Sequence, residues 1–253
     1  MEDIWGNDAF VNALENESPG AYSGSCNEMH EYGRVKLVDL MTDVKSNDII
    51  LDIGCGDGET LQRYHHARYL VGIDISNILC RNAKKKVKNA EIILASMNNL
   101  PFKEDSFDKI VAVYSVIYSS SKENTFAEIS RVLKRKGTFV LYDPNKLSLR
   151  TLVRRIISLK LGFMRDVNNP RYIHHTIATR QAMSFWYFKK MGELAHLKID
   201  DWCGVFSYHL IIPKKIHPFF FNTLKYKKWG FLPGIKNFSD FFIIKFLKEP
   251  HGK

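Results

Sequence analysis

The chain has 253 residues, 45% of them apolar, 25% charged and 13% aromatic, with a formal net charge of +10. That length and apolar content supply a large buried core and exclude a wholly disordered chain. No window of about 18 uncharged apolar residues occurs, which excludes a membrane-spanning helix, and the acidic opening from Met1 to Trp5 is not that of a secretory signal.

In chain order, residues 1–30 are polar and hold a turn cluster (Ser18, Pro19, Gly20, Ser23, Gly24), so they read as an arm or lid. Residues 31–43 space Val35, Leu37, Val38 and Met41 as a helix does. Strands are expected at Ile49–Ile53, Tyr69–Ile73, Glu91–Ala95, Lys109–Tyr114 and Thr138–Tyr142. Helices are expected between them at Glu59–Ala67, Ser76–Val87 and Glu123–Lys134. This alternation specifies an α/β, doubly wound parallel sheet with helices on both faces and ligands at the carboxyl ends of the strands. Beyond Asp143 the rhythm changes. Leu147–Leu161 and Thr176–Met191 are amphipathic helix candidates, and His196–Trp202 and Phe241–Leu247 read as strands. Between those strands, about 203–240 is an irregular, basic and aromatic insertion with a short helix near 217–228.

Charge divides the same way. Residues 1–144 carry 17 Lys/Arg against 21 Asp/Glu, and residues 145–253 carry 20 against 6 together with 19 of the 32 aromatics. An acidic first part and a basic, aromatic second part suggest two jobs on one chain. Cys26, Cys55, Cys80 and Cys203 lie far apart, with no CxxC pair and no Cys/His run at metal spacing. Ordinary thiols, a reducing cytoplasm and no metal site are therefore expected.

The informative segment is Leu51-Asp-Ile-Gly-Cys-Gly-Asp-Gly-Glu59, with Gly54, Gly56 and Gly58 between a strand and a helix. Glycine permits a positive-φ turn and close approach of a ligand, and a helix start offers N–H groups. A dinucleotide loop wants its third glycine where Glu59 stands, and a P-loop wants Gly-Lys-Ser/Thr, which is absent. Asp57 and Glu59 would repel a pyrophosphate but suit S-adenosylmethionine, whose sulfonium and ammonium outweigh its one carboxylate. Asp74 ends the next strand 20 residues after Gly54, the place for a carboxylate that accepts hydrogen bonds from two ribose hydroxyls.

With Val71-Gly-Ile-Asp-Ile75, Leu100-Pro-Phe102, Ser106-Phe-Asp108 and Glu128-Ile-Ser-Arg-Val-Leu-Lys134 following in order, residues 31–143 resemble the class I S-adenosylmethionine-dependent methyltransferases. The similarity is greatest to the small-molecule group that includes ubiquinone- and menaquinone-biosynthesis enzymes. The resemblance implies a Rossmann-like seven-stranded sheet whose last strand, here Phe241–Leu247, is antiparallel. It implies one domain over 31–253, with a cofactor half (31–143) and a substrate-side half (144–253). It also implies that Asp52, Gly54, Cys55, Gly56 and Gly58 hold the methionine end of the cofactor. Asp74 would take the ribose, Ile75 the adenine face, and Ser96 and Met97 the adenine edge, with Tyr114 and Ser115 bordering the site. S-adenosyl-L-homocysteine would be the product.

Methyl transfer from a sulfonium is an in-line displacement that depends mainly on alignment, and an ionised or soft nucleophile needs no base. Tyr118, Asp143 and the pair His174-His175 are the candidates for acceptor chemistry, each with an alternative role in packing, a turn or the surface. Tyr22, His30, Glu31 and Tyr32 are equally readable as a cover over the cofactor or as surface residues. The stretch from Tyr114 to Tyr118 lacks the Asn/Asp-Pro-Pro-aromatic loop of amino-methylating DNA enzymes. Lys214, Lys215, Lys225, Lys227 and Lys228 interleave with Phe219–Phe221, Tyr226 and Trp229. That pattern fits a pocket or membrane-surface wedge for an apolar acceptor, an RNA surface, or a local core with a solvated rim. A small organic, apolar or lipid-linked acceptor is the expectation. A tRNA-modifying methyltransferase is the alternative within enzymes, and a non-catalytic cofactor-binding regulator or partner subunit the alternative outside them.

Overall fold

A computed structural model describes residues 33–149, 181–205 and 234–249. These form a seven-stranded sheet in the order β3-β2-β1-β4-β5-β7-β6. The strands are β1 (Ile49–Ile53), β2 (Tyr69–Asp74), β3 (Ala90–Leu94), β4 (Phe107–Val113), β5 (Leu133–Pro144), β6 (Leu197–Val205) and β7 (Phe241–Lys248). The first five pair in parallel, and β7 is antiparallel to both of its neighbours, β5 and β6. The antiparallel strand expected at Phe241–Leu247 is therefore present, one residue longer, and it sits inside the sheet with β6 at the edge.

Alternation along the buried strands makes two cores, one on each face. On one face Leu51, Ile53, Ile110, Phe139, Leu141 and Phe246 meet helices α4 (Lys122–Val132) and α5 (Phe185–Leu194) through Phe126, Ile129 and Phe188. On the other, Ile50, Leu70, Val111, Val140 and Ile243 meet α1 (Val38–Thr42), α2 (Glu59–Arg63) and α3 (Asn77–Lys86) through Val38, Leu61 and Ala83. The α3 helix starts on a serine cap, Ser76 Oγ accepting from Leu79 N–H, and ends on Lys84–Lys86, which suits the macrodipole.

Several boundaries differ from the sequence reading. The helix expected to run to Lys134 ends at Val132, because Leu133 turns extended and pairs with Phe107. The Arg135-Lys136-Gly137 turn is an irregularity inside β5: Lys136 is left-handed, and a Cβ on Gly137 would lie 2.8 Å from the Lys134 carbonyl. Of the helix expected over Thr176–Met191, residues 176–180 lie outside the described residues, Gln181 is helical, and a break at Ala182–Ser184, where Met183 bridges to Asn145, precedes α5 at Phe185. Cys203–Val205, expected in the insertion, finish β6 against Phe241–Ile243. The arm 1–30, His174, His175 and residues 206–233 of the insertion lie outside the described residues. Among the described residues no helix is long and apolar enough to cross a membrane.

Candidate functional site

The carboxyl ends of β1, β2, β3 and β4 gather the glycine loop, Asp74–Ser76, Ser96–Asn99 and Tyr114–Tyr118. The loop is closed largely on itself. Gly54 and Cys55 donate their N–H groups to the Ile73 carbonyl at 2.8 and 2.9 Å, and Gly58 donates to Cys55 at 2.9 Å. Gly56 N–H donates to Asp74 Oδ2 at 2.9 Å, while Asp74 Oδ1 accepts from Ser76 N–H at 2.9 Å. These amides are engaged within the turn, which leaves space beside Gly56.

That space is specific. Gly56 has φ +54°, and a Cβ there would find nothing within 4 Å. Gly54 and Gly58 are glycines for crowding instead: a Cβ would lie 2.4 Å from Ser115 Cβ and 2.9 Å from Val87 Cγ2. Gly72 keeps room for Leu61 and Cys55, whose thiol is buried in the core and pushed up by that burial. Cys55 therefore presents backbone to the site rather than sulfur.

Asp52 is buried at the end of β1, and its Oδ2 has no hydrogen-bond partner. Burial raises its pKa from 3.8 to about 7, with Arg63 drawing it back and Asp74 adding to the rise. Arg63 is anchored through Nε to both carboxylate oxygens of Asp39 at 3.1 Å, and its two terminal nitrogens are buried without a partner. A buried carboxylate with one oxygen unpartnered, leading into an open glycine turn, fits a cationic, hydroxyl-bearing ligand and disfavours a polyphosphate. Ile75, next to Asp74, is an exposed apolar side chain. Ser96 and Met97 are half-buried, the latter against the core.

Tyr114 is a left-handed non-glycine residue (φ 57°), held by a 2.6 Å hydrogen bond from its N–H to the Tyr142 carbonyl. Ser115 donates from Oγ to the Ile53 carbonyl at 2.6 Å, tying the end of β4 to the end of β1. Tyr118 follows on a 3-10 turn (Val116–Tyr118), its ring 6.4 Å from that of Tyr114. Burial, Tyr114 and Asp143 all push its phenol far up, so Tyr118 is a hydrogen-bonding group and not a base at neutral pH. Asp143 is fully buried, and burial pushes it well above the carboxylate range against the pull of Lys122 and of a backbone hydrogen bond from Ile117. Lys122 Nζ donates to the carbonyls of Ile117 and Ser119, on either side of Tyr118.

The sequence reading did not single out Arg63, Asn98 or Lys122. Each looks like an ordinary surface residue locally, and its role appears only through partners distant in sequence. Among the described residues no group of His, Cys, Asp and Glu could hold a metal ion.

Comparisons with known proteins agree with this geometry. Residues 51–141 match the methyltransferase domain family. The chain is 33% identical over 130 residues to the uncharacterized protein MJ1252 of Methanocaldococcus jannaschii, covering 51% of this chain and 49% of that one. It is 32% identical over 113 residues to the demethylmenaquinone methyltransferase of Thermotoga maritima, covering 44% and 49%. The match thus spans about half the length of each of these relatives. Among solved structures, the Haloferax volcanii methyltransferase in complex with the Trm112 methyltransferase activator superposes with a TM-score of 0.62 at 15% identity, over 98% of this chain and 97% of that one. Residues 51–141 thus resemble a methyltransferase domain, carried on a Rossmann-like seven-stranded sheet.

Proposed function

We propose that the protein transfers a methyl group from S-adenosylmethionine to a small organic acceptor of apolar or lipid-linked character. The observation that carries the cofactor side is the buried Oδ2 of Asp52, which has no hydrogen-bond partner, at the end of the strand that leads into the open turn at Gly56, with Asp74 one strand away on the same face. In this reading Asp52 and the glycine loop meet the methionine end, where an ammonium supplies the donor that Asp52 lacks. Asp74 takes the ribose hydroxyls as a carboxylate acceptor. Ile75 packs on the adenine, whose edge borders Ser96 and Met97.

When bound, the cofactor supplies an electrophilic methyl and a neutral leaving group. The chain's own task is to hold an acceptor atom in line with that methyl and to exclude water. Tyr114 and Ser115 border the methyl, and Tyr118 orients the acceptor as a donor. Of the described candidates, Tyr118 is no base at neutral pH and Asp52 is committed to the cofactor in this reading. An acceptor that is acidic, soft or already ionised is the chemistry that fits. The quinone relative and the aromatic, basic composition of residues 206–233 support an apolar acceptor.

Titration calorimetry with S-adenosylhomocysteine tests the cofactor assignment. Wild type should bind in the micromolar range, about −8 kcal/mol, and Asp74→Ala should weaken binding at least about tenfold through loss of a charge-assisted contact pair. Incubation of cell extract with methyl-labelled cofactor tests the acceptor. Label in the solvent-extractable fraction supports the reading, and label in RNA overturns its acceptor half.

A further inference from the structure

The loop between β3 and β4 is buttoned to one face of α4 at regular intervals. Asn98 meets Thr125, Leu100 meets Glu128, and Phe102 meets Arg131. Asn98 Oδ1 accepts from Thr125 Oγ1 at 2.9 Å. Glu128 Oε2 accepts from Leu100 N–H at 2.7 Å, and Arg131 donates to the carbonyls of Leu100 and Phe102 at 3.0 and 2.7 Å. Steps of two along the loop match steps of three along the helix, which keeps the three anchors on one helix face.

The first anchor differs from the others because it also reaches the next turn. Asn98 Oδ1 accepts from Ser119 Oγ at 2.9 Å, and Asn98 Nδ2 donates to Ser120 Oγ at 2.6 Å. Its backbone N–H donates to Ser96 Oγ at 3.3 Å. One side chain therefore joins the turn after β3 to the residues that follow Tyr118. The strands leading into these turns are not neighbours, since β2 and β1 lie between β3 and β4. The second turn is stiffened from within. Lys122 grips the carbonyls on both sides of Tyr118, and Ser121 Oγ caps α4 by accepting from Asn124 N–H at 3.2 Å. A displacement of Ser96 can reach Ser119 through two hydrogen bonds and one residue, Asn98, with little slack.

We propose that Asn98 is a positioning residue that makes the cofactor-side turn and the Tyr118 turn a single unit, so that occupation of the cofactor site is transmitted to the start of α4 and to Tyr118. The inference rests on the reading that Ser96 and Met97 border the adenine. It adds to that reading an ordered sequence, in which bound cofactor sets the acceptor side.

Hydrogen–deuterium exchange with and without saturating S-adenosylhomocysteine tests this, read at the amides of 119–125, which the proposed cofactor does not touch. In wild type the ligand should slow exchange there at least about fivefold, the lower end of typical coupling. Asn98→Ala should bind the ligand with nearly unchanged affinity by calorimetry and keep protection at the glycine loop, yet lose it at 119–125. Thr125→Val, close in shape and lacking one of the hydroxyls on Asn98, should lose part of it and serves as the deciding variant if Asn98→Ala does not fold. Because the readout is the ligand-dependent difference, a residue that only stabilises the fold would leave it unchanged. Ligand protection at 119–125 that survives in the variants, or that is missing from a wild type that binds, overturns the proposal alone. Absence of binding to folded wild type overturns the cofactor reading and this proposal together.

Discussion

Gly54 and Ser115 lie so close that a methyl group on the glycine would stand 2.4 Å from the serine Cβ. The contact joins the turn after β1 to the turn after β4, and Ser115 Oγ locks it by bonding the Ile53 carbonyl. Gly54→Ala meets both this clash and a φ of +69°. It should cost about 2–4 kcal/mol in urea denaturation, from overpacking and a strained backbone together. Gly56→Ala meets open space and should cost only about 1 kcal/mol for its positive φ, while it obstructs the ligand. Calorimetry should therefore show a binding loss at Gly56 that is large relative to its stability loss.

Asp52 makes stability depend on pH in an identifiable direction. Its folded pKa of about 7 exceeds the ordinary aspartate value of 3.8, so the folded protein binds a proton that the unfolded chain has released between those values. The stabilisation from neutral Asp52 is complete below about pH 4 and is lost as the pH rises through about 7, a change of about 4 kcal/mol at about 1.4 kcal/mol per pH unit. Asp52→Asn removes this slope. Denaturation at pH 5 and pH 8 should show the variant gaining on wild type at the higher pH.

Ligand binding should reverse the same titration. An ammonium delivered to Asp52 favours its carboxylate, so S-adenosylhomocysteine should bind more tightly as the pH rises from 6 to 8 and should release a proton near pH 6.5. Calorimetry in buffers of different ionisation enthalpy measures that proton directly. Wild type should show it and Asp52→Asn should not.

Glu128 is held below the usual carboxylate range, first by its hydrogen bond from Arg131. Its contribution is present at neutral pH and fades as the pH falls through its folded pKa. Glu128→Ala leaves the Leu100 N–H and the Arg131 guanidinium without their acceptor and should cost about 2 kcal/mol at pH 7. Thermal melts should show the gap to wild type closing at acid pH.

Asn145 is buried and donates from Nδ2 to the carbonyls of Asn237 and Ser239 at 2.8 and 2.9 Å, seating the segment that leads into β7. Asn145→Ala should cost about 2–3 kcal/mol by leaving those carbonyls unpaired. Asn145→Asp should cost more, because it turns an acceptor toward them. Urea denaturation of the pair measures both.

The cofactor half was legible because its signals are local. Buried apolar runs ending at Gly54 and Asp74 state the strand, its end and the turn within a few residues. Leu133 misled because it continues the apolar stripe of Phe126 and Ile129 by helical spacing, and only pairing with Phe107 makes it a strand. Cys203–Val205 read as loop because their strand character depends on Phe241–Ile243, nearly 40 residues on. Asn98 and Lys122 carry no local mark of their role, which exists only where turns from non-adjacent strands meet α4.

The internal position of β7 sets a timetable for synthesis. Strands β1 to β5 and the glycine loop can assemble as soon as residue 144 has left the ribosome. β6 has no partner until β7 emerges and slides between it and β5. Through that interval the nascent chain carries an unpaired β5 edge and an unplaced β6, the kind of species that aggregates or recruits chaperones. The long separation in sequence between β5 and β7 leads us to expect this last insertion to be the slow step of maturation.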